Sequence, residues 1–175
     1  ASLVLQLAEL GVAGVNIEDG TGAPELLAAK IRSCRQRLDR QMLFINARTD
    51  IYLTQLATGP EAVTECIRRL KLYQAAGADS AFIPGLADLA LVTELSRASP
   101  LPLNLMGWPE GATLQDLTRA GVKRLSAGPA LFLGSYQAYQ QAVWSFLQQN
   151  PVAAQALDYA ALNTMFSQPF ADWVR

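Results

Sequence analysis

The chain has 175 residues, 51% of them hydrophobic, with 14 basic and 15 acidic side chains, a net charge of −1 and no histidine. That length allows one sizeable hydrophobic core, the even charge balance argues against nucleic acid as the main partner, and no apolar run approaches the about 20 residues of a membrane span. Without histidine the chain has no Ser–His or Cys–His pair, no histidine general base and no basis for most zinc or iron sites, which leaves carboxylates, Arg, Lys, Tyr, backbone groups or a hard cation.

A βα rhythm runs through most of the sequence. Residues 2–10, SLVLQLAEL, read as a helix that Gly11 ends, and AGVNI at 13–17 reads as the first strand. GVNIEDGTG at 14–22 then sets Glu18 and Asp19 between that apolar run and a glycine-rich turn. Two acids there could cap a helix, hold a metal or move protons. PELLAAKIRSCRQRL at 24–38 opens on Pro24 and lines up Leu27, Ile31, Cys34 and Leu38 on one helical stripe. QMLFINA at 41–47 is a continuous apolar strand of the kind buried on both faces of a parallel sheet. PEAVTECIRRLKLYQAA at 60–76 is amphipathic, with Val63, Cys66, Ile67 and Leu70 inward. Both cysteines therefore read as buried free thiols of a reducing, cytoplasmic environment.

Next come a strand at 80–84, a helix over about 86–98, a strand at 101–106 and a short helix that TLQD at 113–116 opens with a capping box. VKRLSA at 122–127 is the last strand, a long helix follows over about 129–149, and after Pro151 another runs through VAAQALDYAALNTMF. Helix–Ala-Gly–strand recurs in AELGVAGV, QAAGADSAF and TRAGVKRL, one supersecondary unit repeated. Strands alternating with helices imply an α/β parallel sheet. GTG at 20–22 is not a dinucleotide fingerprint, and no Walker loop occurs. An eight-unit barrel needs roughly 200 residues or more. The expected fold is therefore the C-terminal five βα units of a (β/α)8 TIM barrel plus C-terminal helices, divided as a partial barrel at 1–150 and a helical extension at 151–175. The start inside a helical pattern suggests upstream sequence, roughly 80 residues by barrel size.

Barrel chemistry gathers at the C-terminal ends of strands. Those positions hold Glu18 and Asp19, Arg48 and Asp50, Pro84 and Gly85, Asn104, then Ser126 and Gly128. An arginine beside a core needs an anion, supplied either by a substrate or by Glu18, Asp19 or Asp50 in a salt bridge. Asn104 is either a satisfied structural amide or a ligand contact, and Ser126 with Gly128 is either a plain turn or a carboxylate- or phosphate-binding one. Carboxylates that hold magnesium, together with an arginine fork, suit chemistry on a 2-oxo acid.

GVAGVNIEDG, INARTD, GADSAFIPG, PLPLNLM and GVKRLSAGPALF, in that order, resemble the phosphoenolpyruvate mutase/isocitrate lyase superfamily over about residues 5–145. The resemblance implies a (β/α)8 barrel that makes or breaks C–C or P–C bonds through a magnesium-bound, pyruvate-like enolate. It also implies a homo-oligomer in which the helix after the last strand packs on a neighbouring subunit. By the same resemblance Glu18 holds magnesium through water, Asp19 supports it, Arg48 contacts the substrate and steadies the enolate, and Asn104 and Gly128 lie at substrate-binding positions. The lyases of this family that cleave isocitrate or methylisocitrate carry a Lys-Lys-Cys-Gly-His loop after the Glu-Asp strand, and its mutases carry Lys and Asn there. GTGAPELLAAK has neither, which counts against both activities. The family's main magnesium aspartates lie on strands that precede this segment, so the fragment alone is expected to be inactive. The expected function is a magnesium-dependent lyase or decarboxylase of a small 2-oxo or 2-hydroxy dicarboxylate. The alternative is a degenerate, non-catalytic barrel serving interaction or ligand sensing. An unrelated phosphate-binding barrel has only SAGPALF to support it.

Overall fold

The computed structural model describes residues 2–38, 42–151 and 158–168. Chain contacts divide it into two compact units, Ala1–Gly128 and Pro129–Arg175.

The first unit holds α1 (Ser2–Glu9), β1 (Gly14–Glu18), α2 (Pro24–Arg35), β2 (Phe44–Arg48), α3 (Gly59–Ala76), β3 (Ser80–Ile83), α4 (Leu89–Ala98), β4 (Leu103–Met106), α5 (Leu114–Ala120) and β5 (Val122–Ser126). All five strands are parallel and lie in sequential order, β1-β2-β3-β4-β5. Parallel neighbours joined by right-handed crossovers, with no reversal of order, keep every connecting helix on one side. That arrangement is an arc of a barrel, whereas a doubly wound sheet would switch direction partway.

Alternation along each strand makes the two sheet faces chemically unlike. Toward the helices point Ile45, Ala47, Ala81, Ile83, Leu103 and Leu105, all at most 1% exposed. They pack with Leu27, Ile31 and Cys34 of α2, Cys66 and Leu70 of α3, Val92 and Leu95 of α4, and Leu117 of α5 in one core. The opposite face carries Asn16, Glu18, Asn46, Arg48, Ser80, Phe82, Asn104 and Arg124, as the register pairs require. The continuous apolar reading of 41–47 is therefore half right: Met42 and Phe44 are 54% and 43% exposed, because only alternate positions meet helices.

Local signals place the elements. Pro24 occupies the first turn of α2, Asp88 caps α4 by accepting from the Ala90 and Leu91 amides, and Thr113 with Asp116 completes the expected capping box on α5. The recurring Ala-Gly junction is a left-handed helix stop, with φ of 106° at Gly77 and 93° at Gly121. At the far end of the sheet from the site, Arg35 ties three segments together. It donates to the carbonyls of Gly77 (2.7 Å) and Leu43 (2.8 Å) and pairs with Asp79, which also accepts from the Ile45 amide.

The second unit contains α6 (Ala130–Leu147) and α7 (Tyr159–Ser167). α6 has no charged residue and no buried one; Phe132, Tyr136, Tyr139, Trp144 and Phe146 are all exposed. Trp108 and Trp144 are both exposed. The start of the helix expected after Pro151, and Trp173 with its FADWVR neighbours, lie outside the described residues. No described helix is long and apolar enough to cross a membrane.

Candidate active site

One register row crosses the sheet: Glu18 pairs with Arg48, Arg48 with Phe82, Phe82 with Asn104, and Asn104 with Arg124. Register partners on parallel strands project from the same face, so four polar or charged side chains and one aromatic ring line a single inner row. Glu18 and Arg48 are the last residues of their strands, which end one residue later than the sequence suggests, because on this face a charge is compatible with the strand. Arg124 joins the row through an irregularity in β5. Leu103 pairs with Val122 but Asn104 pairs with Arg124, so Lys123 is skipped.

Arg48 is the hub. Its Nε donates to Asp50 Oδ1 at 2.7 Å and its Nη2 to Asp50 Oδ2 at 3.2 Å, a two-point grip from a carboxylate only two residues on. Its Nη1 lies 3.2 Å from Glu18 Oε2, and its guanidinium carbon is 5.7 Å from the Phe82 ring centroid. Of the three acids open to it in the sequence, Arg48 therefore pairs with Asp50 and Glu18 but not Asp19. The Asp50 hydrogen bonds raise its pKa further, against the pull of partial burial, so it stays cationic. Its side chain is 25% exposed and that of Glu18 58%.

Asp19 faces the other way. Its side chain is fully buried, with Oδ1 accepting from the Asp50 amide (3.0 Å) and Oδ2 from Arg69 Nη1 (2.8 Å) and Tyr73 OH (2.5 Å), both on α3. Both oxygens are engaged, so its support reaches the row through the backbone. Arg69 and Tyr73 are neighbours of the candidate site that the sequence reading missed. The signal was present, since 66, 69, 70 and 73 form one buried stripe and a cation on such a stripe requires a buried acid.

Farther along the row, Asn104 is 1% exposed; its Oδ1 accepts from Ser126 Oγ at 3.0 Å, while its Nδ2 has no partner among the described residues. A buried amide donor without a partner is uncommon, and it suits a ligand oxygen. Gly128, at φ 58°, closes the turn after β5 in the left-handed region that favours glycine, with the flexible Met106 side chain against it. Behind the row, Asn46 donates to Asn16 (2.8 Å) and accepts from Ser80 (2.5 Å), and an open recess of about 310 Å³ is lined by Gly14, Asn16, Phe44, Asn46 and Arg124.

The site thus brings Glu18 and Arg48 into contact, sets Asn104 two strands beyond Arg48, and keeps Asp19 beneath. For a metal, no three Asp, Glu, Cys or His side chains gather among the described residues. Glu18 fits the outer position that the sequence resemblance implies: it is exposed on the inner face and has one oxygen not engaged by Arg48.

A family profile described as phosphoenolpyruvate phosphomutase matches residues 1–147. An uncharacterized protein, Rv1998c, of Mycobacterium tuberculosis H37Rv is 41% identical over 127 residues, covering 70% of this chain and 46% of its own length. The oxaloacetate decarboxylase of Ectopseudomonas mendocina is 32% identical over 143 residues, covering 77% of this chain and 49% of its own. Among solved structures, a candidate lyase/mutase of Burkholderia cenocepacia J2315 superposes with a TM-score of 0.80 at 27% identity, covering 96% of this chain and 64% of that one. A phosphonopyruvate hydrolase solved with oxalate and Mg²⁺ shares the fold at a TM-score of 0.74 and 18% identity, covering 94% and 62%. The chain spans about half the length of the curated relatives it matches. With a partial parallel barrel, the Glu-Asp strand end and a profile match over most of its length, the chain belongs to the phosphoenolpyruvate phosphomutase family of the phosphoenolpyruvate mutase/isocitrate lyase superfamily.

Proposed function

We propose that the protein is a magnesium-dependent lyase of the decarboxylase type. Its substrate would be a small 2-oxo or 2-hydroxy dicarboxylate of the oxaloacetate class, cleaved through a pyruvate-like enolate. The observation that carries this reading is the Arg48 guanidinium, gripped at two points along one edge by Asp50 and facing Glu18 at the end of the sheet's inner face. A cation already aimed stabilises charge that develops as a C–C bond breaks, with no reorganisation at the moment of reaction. Arg48 would hold the substrate and the developing enolate oxygen, Asn104 Nδ2 would donate to a second substrate oxygen, and Gly128 would keep the turn beside them open. Glu18 would hold magnesium through water, with Asp19 supporting its strand end. When bound, the metal supplies Lewis-acid polarisation of the substrate oxygens. The named decarboxylase relatives and the oxalate-bound neighbour support this substrate class.

A homo-oligomer is part of the same reading, supported by the uncharged, exposed α6. A cytoplasmic location is supported by two buried, free cysteines, Cys34 and Cys66. Kinetics of Arg48→Ala in the full-length protein, with oxaloacetate and magnesium, test the reading. Turnover should fall by about 10²–10³-fold while the circular dichroism spectrum is kept. Unchanged turnover would remove Arg48 from the reaction.

A further inference from the structure

We infer that Arg69 and Tyr73, on the helix behind the sheet, are positioning residues for the Glu18–Arg48 pair. The inference rests on the reading of that pair as the reacting one. The connection is continuous. Tyr73 OH and Arg69 Nη1 both donate to Asp19 Oδ2, at 2.5 and 2.8 Å. Asp19 Oδ1 accepts the Asp50 amide at 3.0 Å, and the Asp50 carboxylate grips Arg48 through Nε and Nη2. With that edge held, Nη1 of Arg48 faces Glu18, which directly precedes Asp19 in the chain. The Asp19 amide in turn donates to the Arg48 carbonyl at 3.2 Å, so the two strand ends are fastened by side chain and by backbone.

Every inner link is buried: Asp19 and Tyr73 are fully so, Asp50 is 4% exposed and Arg69 8%. Arg69 is anchored at its other end, where Nε donates to Glu65 Oε1 at 2.8 Å, so its fork spans from the helix surface to the strand end. Desolvating the Asp19 carboxylate requires donors, and here the fold takes both side-chain donors from one helix. The consequence is directional. Asp19 turned toward α3 aligns the Asp50 amide, which fixes the angle at which the Asp50 carboxylate meets Arg48. A guanidinium released from that angle still binds a substrate anion, but it meets the transition state off-line.

The decisive variant is Tyr73→Phe, which deletes one O–H and leaves the ring in the core. Two measurements on the full-length protein are compared with wild type: hydrogen exchange of the Asp50 amide, and steady-state kinetics with oxaloacetate and magnesium. Exchange at Asp50 should quicken by about tenfold, the effect of loosening one buried hydrogen bond, while the amide of Ile83 in the same sheet keeps its rate. The kcat should drop about 10- to 100-fold with KM little changed, as for a misplaced reacting group. Arg69→Lys, which keeps the charge but loses the fork, should shift both readouts the same way.

Unaltered exchange at Asp50 in Tyr73→Phe would overturn the inference. So would equal quickening at Asp50 and Ile83, which marks a general loss of stability. If wild type turns over no oxo acid, the functional reading fails by itself, and the exchange comparison still decides whether α3 holds the strand ends.

Discussion

The two faces of the five-stranded sheet obey different rules. On the helix side the strands present Ile45, Ala47, Ile83, Leu103 and Leu105, all buried in one hydrophobic core. On the inner side the same strands present Asn16, Asn46, Ser80, Glu18, Arg48 and Asn104, joined by hydrogen bonds or an ion pair, and Asn104 Nδ2 has no partner among the described residues. A face built for stability satisfies itself. The unpartnered Asn104 amide and the half-exposed Glu18 show that the inner face does not, as expected where a ligand completes the bonding.

That contrast predicts opposite phenotypes from the two sides. Leu105→Ala, which opens a cavity between β4 and the helices, should cost about 2–5 kcal/mol of unfolding free energy. Urea unfolding would register it, and kcat per folded molecule should survive. Arg48→Ala should do the reverse, and if it destabilised the fold as much as Leu105→Ala did, the division of labour between the faces would be wrong. Asn104→Ala is the finer case. It removes the free amide and the bond to Ser126, so stability should fall by only about 1 kcal/mol. KM for a 2-oxo dicarboxylate should rise about fivefold, the loss of one donor to a substrate oxygen. A variant with unchanged KM would make the amide a structural oddity.

The smallest effect belongs to the solvent side of α3. Hydrogen bonds from Arg68, and then from Arg69, pull the Glu65 carboxyl from its ordinary 4.5 down to about 2. A pKa depressed by folding adds stability that is fully present above pH 4.5 and disappears as pH falls toward 2. Because Glu65 is partly exposed, solvent screening reduces that contribution. Unfolding followed between pH 5 and 2 should show a shallower decline in Glu65→Gln, and identical pH profiles would mean that the arginines do not hold it in solution.

The helix-side face was the more legible in sequence. Apolar runs such as Leu43–Phe44–Ile45 and Ala81–Phe82–Ile83 announce strands, and the Ala-Gly stops announce helix ends, because both depend on near neighbours in the chain. The family resemblance carried Glu18 and Arg48, and the structure sets the two side by side. What stayed hidden depends on partners far apart in sequence. Asp19 meets Arg69 and Tyr73 across 50 and 54 residues, and the shift that puts Arg124 opposite Asn104 arises from strand pairing alone. Trp144 shows the opposite limit: the apolar stretch of α6 around Val143, Trp144 and Phe146 has the composition of a core element, yet all three side chains are exposed in this chain.

The most direct test is calorimetric titration of oxalate, which mimics a pyruvate enolate, into the full-length protein with and without magnesium. The account predicts binding that requires magnesium, that weakens strongly in Arg48→Ala and that is retained in Leu105→Ala while the protein is folded. Binding equally tight without the metal, or no oxalate binding at all, would contradict it.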